Sequence, residues 1–218
     1  MNPSLWMEWA PLLWKGLVTT VQVALLSGVV ALFLAVLTGI CRLSKYKLIR
    51  GIAYVYVMLF RGVSLLVLLF WVYFSLPALG IEFSAISAAV LAFGLNYGAF
   101  GSEIVRSSIL AVPKGQWEAA LALNLTPAQR MFRIILPQAV VRMLPPINNL
   151  MIELLKATSL VSFITLADLT FQSQILRGQF FGNTIELFTI VLILYFILSS
   201  CITLVARLLE RKLSAGRM

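Results

Sequence analysis

Between Ser107 and Val141 the chain carries a polar stretch that reads Val112-Pro113-Lys114-Gly115-Gln116-Trp117-Glu118-Ala119-Ala120 and, further on, Ile135-Leu136-Pro137-Gln138-Ala139. The sequence on both sides is almost entirely apolar, because 61% of the 218 residues are hydrophobic and only 11% are charged. Soluble domains have a charged fraction of about 25%, so this composition predicts a membrane protein. A long polar segment between membrane spans would be exposed to solvent, where another protein can bind it.

Apolar runs of about 20 residues predict helices that cross the bilayer. We predict five such spans, at about 16–41, 51–77, 83–105, 144–169 and 186–207, within one all-α domain that covers residues 1–218. The second span contains Arg61, and the fourth contains Glu153, Lys156 and Asp168. Charges at membrane depth are costly and mark solute routes or pairs inside a bundle. These four residues are therefore candidates for a solute pathway, and a structural pair of Glu153 with Lys156, one helical turn away, is the alternative.

The basic residues predict the orientation of the spans. Most of the 17 Lys and Arg residues fall in the first loop, the long loop at about 107–142 and the C-terminal tail, which five spans place on one side. By the positive-inside rule, the N-terminus is predicted to lie outside and the C-terminus in the cytosol. The first apolar run is longer than the core of a signal peptide, so we expect it to remain as a span.

The sequence lacks the residues that several kinds of catalytic, metal-binding and nucleotide-binding site require. Histidine is absent, which excludes His-based triads and HExxH zinc sites. No Gly-Lys dipeptide occurs, so the chain has no P-loop for a nucleotide. The net charge of +9 comes from loops that flank spans, without a basic surface interleaved with aromatics. We therefore expect no enzyme, no metal, no cofactor in this chain and no nucleic-acid partner.

Five spans are also too few to enclose a solute pathway. An odd number cannot be divided into the inverted repeat that builds many secondary transporters. A second subunit is therefore expected, most simply related by a two-fold axis. A self-sufficient channel or secondary carrier, and a structural subunit of another complex, are the alternatives. Neither accounts for the long polar loop.

The long loop resembles the EAA loop of permease subunits of ATP-binding-cassette (ABC) importers. Glu118-Ala119-Ala120 is followed by Asn124 and then by Leu136-Pro137, as in that loop. Three stretches, at 60–67, 96–142 and 154–162, also resemble the polar amino-acid branch of the family. The resemblance covers residues 12–212 and implies the type I importer permease fold, which is also called MetI-like.

The resemblance implies that the long loop couples the spans to an ATPase. In the family, short helices of this loop dock in a cleft of the ATPase subunit and transmit its closure to the spans. Trp117 and Phe132 would supply apolar anchors, with Arg130 and Arg133 at the rim. The small residues Ala119 and Ala120 would allow close approach to the partner. The coupling residues implied here are Gly115, Trp117, Glu118, Ala119, Ala120, Asn124, Leu136 and Pro137.

The resemblance also implies partners and a cargo. The partners are two cytosolic ABC ATPase subunits that carry ATP and Mg²⁺, a second permease that is identical or similar, an extracytoplasmic solute-binding protein, and the lipid of a bacterial plasma (inner) membrane. The cargo is a polar amino acid or a similar small zwitterion, such as an ectoine-type compatible solute. The sequence leaves open which solute is carried and whether the second permease is identical.

Two positions depart from the family pattern. Asn124 stands where glycine is usual, and we expect it to keep the turn because asparagine tolerates the left-handed conformation. Ala157 stands where aspartate is common after the lysine. This removes a counter-charge beside Lys156 and leaves Glu153 as its expected partner.

Overall fold

The chain folds into helices alone over residues 3–214, which a computed structural model describes, with side chains described for residues 7–213. No strand occurs within this part of the chain, so the all-α prediction is confirmed. The α-helices in chain order are α1 (Pro3–Cys41), α2 (Lys47–Gly62), α3 (Leu65–Phe70), α4 (Ala85–Leu110), α5 (Lys114–Ala122), α6 (Pro127–Gln129), α7 (Leu136–Ala157), α8 (Leu169–Gln179) and α9 (Thr184–Ser214). Two kinds of helical turn connect them: π-helical turns at Trp71–Ser75 and Arg130–Ile135, and 3-10 turns at Leu76–Leu79, Thr158–Ile164 and Phe181–Asn183.

Within the described residues, four helical stretches are long and apolar enough to cross a membrane. They are Met7–Cys41, Ala85–Leu110, Pro127–Ile164 and Phe181–Leu213. A fifth crossing is available from the pair Lys47–Gly62 and Leu65–Leu79, whose axes differ by 102°. The second predicted span, 51–77, is therefore not one straight helix, because Val63 and Ser64 adopt extended conformations between its halves. The depth limits of all five spans in the bilayer stay predictions.

The fourth predicted span, 144–169, also differs from the observed helix. The π-helical turn Arg130–Ile135 leads directly into α7, so the helix begins well before residue 144. At its other end Thr165 adopts a left-handed conformation with φ 59° and ends the 3-10 turn. Asp168 lies beyond this break, in the connection to α8.

Helix α1 packs closely against α4 because glycines remove side chains from the contact. A Cβ at Gly98 would lie 2.7 Å from the Cβ of Leu34, and one at Gly101 would lie 2.7 Å from the Cβ of Ala35. Small residues let helix backbones approach in this way in membranes. Leu34 stands about 10 Å of helix rise from the end of α1 at Cys41. This part of α4 is therefore well inside the bundle.

Helix α7 brings the turn that carries Glu153 and Lys156 close to the part of α4 around Gly101. The Leu150 side chain lies 3.3 Å from the Cβ position of Gly101, and the Met151 sulfur lies 3.5 Å from that of Gly28. Helix α9 packs against α7 and α8 but is exposed along most of its length. The bundle thus places residues 150–156 next to α4 on one side and α9 on the other.

Candidate functional site

Helix α5 carries the Glu-Ala-Ala motif and divides it between two faces. Ala120 is buried, and Trp117 packs against the apolar cluster where the end of α4 meets the start of α7. Glu118 and Ala119 are exposed. We expected both alanines and Trp117 to face a partner, but the structure turns Ala120 and Trp117 toward their own chain. The small side chain of Ala120 lets α5 lie close to the bundle, and Ala119 faces away from it.

The turn after α5 confirms the expectation for Asn124. Its φ is 52°, in the left-handed region. The Asn124 N–H donates to the Leu121 carbonyl at 2.9 Å, and the Leu125 N–H donates to the Ala120 carbonyl at 3.2 Å. These two bonds form a Schellman motif, which satisfies the last carbonyls of the helix. Asparagine therefore ends α5 in the left-handed conformation that glycine adopts most easily.

The next helix starts with a capping box. The Thr126 hydroxyl accepts from the Gln129 N–H at 3.3 Å, and the Gln129 side chain accepts from the Thr126 N–H at 2.9 Å. The chain then widens into the π-helical turn, where the Leu136 N–H donates to the Met131 carbonyl. Pro137 follows, and a proline has no N–H to give to a regular helix. Leu136 and Pro137 thus lie where the loop enters the bundle.

The solvent side of the long loop has an apolar surface that the motif does not reveal. Leu121 is 57% exposed and Leu123 is 70% exposed, beside Glu118 and Ala119. Phe132 is 66% exposed, as expected for an anchor. Gly115 is open as well, with nothing within 4 Å of its Cβ position. We name the exposed residues Glu118, Ala119, Leu121, Leu123 and Phe132 the docking surface.

Arg61 and Glu153, two of the predicted pathway residues, line one cavity of about 260 Å³. The cavity lies at the bend between α2 and α3, where Asn96 holds the end of α2 by donating to the Phe60 carbonyl at 2.7 Å. Arg61 stacks over the Phe100 ring at 5.2 Å. This volume lies just below the usual range of small-molecule sites. The other residues that line the cavity are Val63, Leu65, Asn96, Tyr97 and Phe100.

Lys156 faces away from this cavity, and the expected pair with Glu153 does not form. The ion pairs among the described residues all involve Glu103, and none joins Lys156 to Glu153. Lys156 instead lines an open groove of about 920 Å³ against α9. Glu153 and Lys156 are three positions apart and differ by about 60° around the helix axis. This difference directs Glu153 to the cavity and Lys156 to α9. The groove also contains Tyr195, Ser199, Ser200, Thr203 and Arg207.

Asp168 caps the N-terminus of α8. Its carboxylate accepts from the Phe171 N–H at 2.9 Å and from the Thr170 N–H at 3.2 Å. The residue is fully buried, and the backbone N–H of Leu169 donates to the Thr20 hydroxyl of α1 at 3.1 Å. Burial raises the pKa of the Asp168 carboxyl to about 6, against the N–H bonds that lower it. Asp168 is thus placed to hold α8 on α1. It lies outside the helices that are long enough to span a membrane.

We predict that Asp168→Ala lowers the stability of the protein by about 1 kcal/mol, because two N–H groups of α8 lose their acceptor. Asp168→Asn keeps a capping oxygen and is the matched control, with a smaller loss. Thermal unfolding of the detergent-solubilised protein measures both. If both variants keep normal stability and lose solute binding, Asp168 contacts solute and the capping role is contradicted.

The most connected charge of the site, Glu103, was not singled out from the sequence. Its carboxylate pairs with Arg106 at 2.6 Å, with Arg42, and with Arg61 at 3.9 Å. In the sequence, the only sign of an ion pair at Glu103 was its i,i+3 spacing to Arg106. The arginines from the first loop and from the bend come from distant parts of the sequence and meet only in the fold.

Almost the whole length of the chain is similar to known transport proteins. A family model described as the binding-protein-dependent transport system inner membrane component matches residues 4–215. The chain is 41% identical to a probable amino-acid ABC transporter permease protein, y4tF, of Sinorhizobium fredii, over 97% of this chain and 91% of the relative. It is 38% identical to the L-cystine transport system permease protein TcyB of Bacillus subtilis, over 93% and 87%. The crystal structure of an amino acid ABC transporter with histidines matches with a TM-score of 0.88 and 32% identity, covering 97% of this chain and 99% of that chain.

Proposed function

Because the chain belongs to the family of binding-protein-dependent transport system inner membrane components, we propose that it forms a solute pathway together with a second permease. The chain is a permease subunit of an amino-acid ABC importer, which confirms the resemblance of the long loop and the type I permease fold. It is a multi-pass membrane protein. The finer assignments below, of solute groups, partners and orientation, are proposals.

The cavity at Arg61 and Glu153 carries the proposal for the solute. One cavity lined by a guanidinium and a carboxylate is complementary to a zwitterion, because each charge of the solute meets an opposite charge of the protein. The Arg61 guanidinium matches a carboxylate with two parallel N–H donors. Glu153 matches the ammonium group. A volume of about 260 Å³ favours a single amino acid over a peptide.

The depth and position of this cavity support the same assignment. It lies at a broken helix, next to the part of α4 that packs on Leu34. Substrate sites of many transporters lie near the bilayer midplane, beside helices that are interrupted there. We therefore propose Arg61 and Glu153 as the solute-binding pair. Lys156 belongs to a separate groove against α9, which remains a candidate for the surface toward the second permease or for the solute route.

The docking surface supports the proposal of an ATPase partner. Protein interfaces depend on a few apolar anchors inside a polar rim, and Leu121, Leu123 and Phe132 are large apolar side chains that the long loop leaves more than half exposed. ATP and Mg²⁺ would be bound by two such ATPase subunits, because this chain has no P-loop. Movement of α5 would reach the cavity along the helix that runs from Pro127 through α7.

The distribution of basic residues supports the proposed orientation. The basic residues around α5 and the first loop would lie in the cytosol of a bacterial cell, with the N-terminus outside. The connections near Gly80 and α8 would then face outward. We propose that an extracytoplasmic binding protein delivers the solute to this outer side.

Reconstitution tests the proposed function. Liposomes that contain the permease pair and its ATPase, with L-glutamine and a binding protein outside, are expected to accumulate the amino acid only when ATP is supplied at the ATPase side. The matched control is the same preparation without the ATPase. Accumulation by that control, driven by an ion gradient, would contradict the importer proposal and favour a secondary carrier.

A further inference from the structure

Glu103 sits between the proposed solute cavity and the cytosolic end of α1. A Cβ at Gly39 would lie 3.0 Å from the Ser102 carbonyl, so this turn of α4 is level with the last turn of α1. Arg42, directly after α1, pairs with the Glu103 carboxylate. Arg61, which lines the cavity, approaches the same carboxylate oxygen, Oε2. A chain of charges therefore connects the cytosolic turn to the cavity.

The three arginines do not share the carboxylate equally. Arg106 donates to Oε1 from Nε at 3.1 Å and from Nη2 at 2.6 Å, and Arg42 Nη1 donates to Oε2. Arg61 Nη1 is 3.9 Å from Oε2, which is too long for a hydrogen bond. No side-chain hydrogen bond from Arg61 occurs in the described part of the chain. Charge and the Phe100 ring hold Arg61 in place, and its N–H donors remain available.

We infer that Glu103 is a positioning residue for Arg61, and that Arg42 controls how strongly Glu103 attracts it; this rests on the proposed carboxylate site at Arg61. While Arg42 occupies Oε2, Glu103 keeps the Arg61 guanidinium at the edge of the cavity without taking its donors. Once Oε2 is free, Arg61 closes onto it and its donors leave the cavity. Solute affinity therefore depends on a contact at the cytosolic end of α1.

The test is Arg42→Gln, measured by binding of radiolabelled L-glutamine and of its α-amide to the purified permease–ATPase complex without binding protein. We expect the dissociation constant of L-glutamine to rise about five- to tenfold, as for loss of part of one charge-assisted hydrogen bond. The α-amide lacks the carboxylate charge, so its binding changes little. The measured quantity is the ratio of the affinity for L-glutamine to the affinity for its α-amide. A general loss of stability does not alter this ratio.

Three companion variants make the result specific. Arg42→Lys keeps the charge at Oε2 and is expected to preserve the ratio. Arg42→Gln combined with Glu103→Gln removes the competing carboxylate, so the ratio is expected to return to the original value or above. Arg50→Gln is the matched control, because Arg50 is exposed on the same side and forms no ion pair within the described residues. It is expected to leave the ratio unchanged.

An equal fall of the ratio in Arg42→Gln and Arg50→Gln would overturn the inference, since the effect would then be a general one of charge. An unchanged ratio in Arg42→Gln would overturn it as well. If the combined variant does not assemble, Arg42→Gln compared with Arg42→Lys still decides. The proposed site is tested separately by Arg61→Gln. If Arg61→Gln loses its preference for L-glutamine over the α-amide while Arg42→Gln has no effect, the proposed function stays intact. If Arg61→Gln keeps that preference, the proposed function itself is contradicted.

Discussion

Leu121→Asp combined with Leu123→Asp is expected to detach the ATPase and to abolish ATP-driven uptake. Both leucines are more than half exposed on the docking surface, so neither substitution removes a buried side chain of the bundle. Truncating a hot-spot residue of an interface costs about 2 kcal/mol or more, or about thirtyfold in affinity, and we expect the two leucines together to reach that size. Two new carboxylates add a desolvation cost. Co-purification of the two subunits and uptake by reconstituted liposomes measure the result.

The conservative pair Leu121→Met and Leu123→Met is the matched control, because methionine keeps apolar bulk at both positions. It is expected to keep the ATPase and most of the uptake. Glu118→Lys reverses one exposed charge on the same surface and is expected to weaken the complex less, since charges at an interface rim contribute modestly. If the aspartate pair retains the ATPase and transports normally, the ATPase docks elsewhere and α5 has another role.

The sequence predicted the parts of this fold that depend on composition and on local pattern. Apolar length identified the spanning helices, and the spacing of the Glu118 motif to Leu136 and Pro137 identified the loop. Asn124 was expected to form a left-handed turn because few residue types tolerate it, and the structure confirms this. Each of these inferences uses residues close together in the chain, whose physical preferences act locally.

Features that depend on packing could not be predicted in the same way. Ala119 and Ala120 are chemically identical, and only the contact of α5 with the bundle decides which of them is exposed. Lys156 and Glu153 are one turn apart, yet α9 lies beside one and the cavity beside the other. The Glu103 cluster joins three arginines from separate segments. These arrangements are set by which helices become neighbours, and spacing along one helix carries no information about that.

Arg61→Gln and Glu153→Gln test the proposed solute-binding pair, with expected losses of about ten- to a hundredfold in affinity for L-glutamine. Each change removes a charged hydrogen-bond partner of the solute, and such bonds contribute roughly 1.5–3 kcal/mol. Both residues line the cavity and neither is fully buried, so the bundle is expected to remain folded. Arg50→Gln and Glu82→Gln, at exposed positions away from the cavity, are the matched controls.

The two variants are expected to differ in which part of the solute they cease to recognise. Arg61→Gln should bind L-glutamine and its α-amide alike, because the carboxylate no longer meets a guanidinium. Glu153→Gln should lose the preference for a free amino group over its N-acetyl form, because the ammonium no longer meets a carboxylate. Combining each protein change with each solute change isolates the two contacts, as a double-mutant cycle does for a pair of residues. Equal losses for all three solutes in both variants would mean that Arg61 and Glu153 act on the fold, and the zwitterion site would have to be sought along Lys156 and α9.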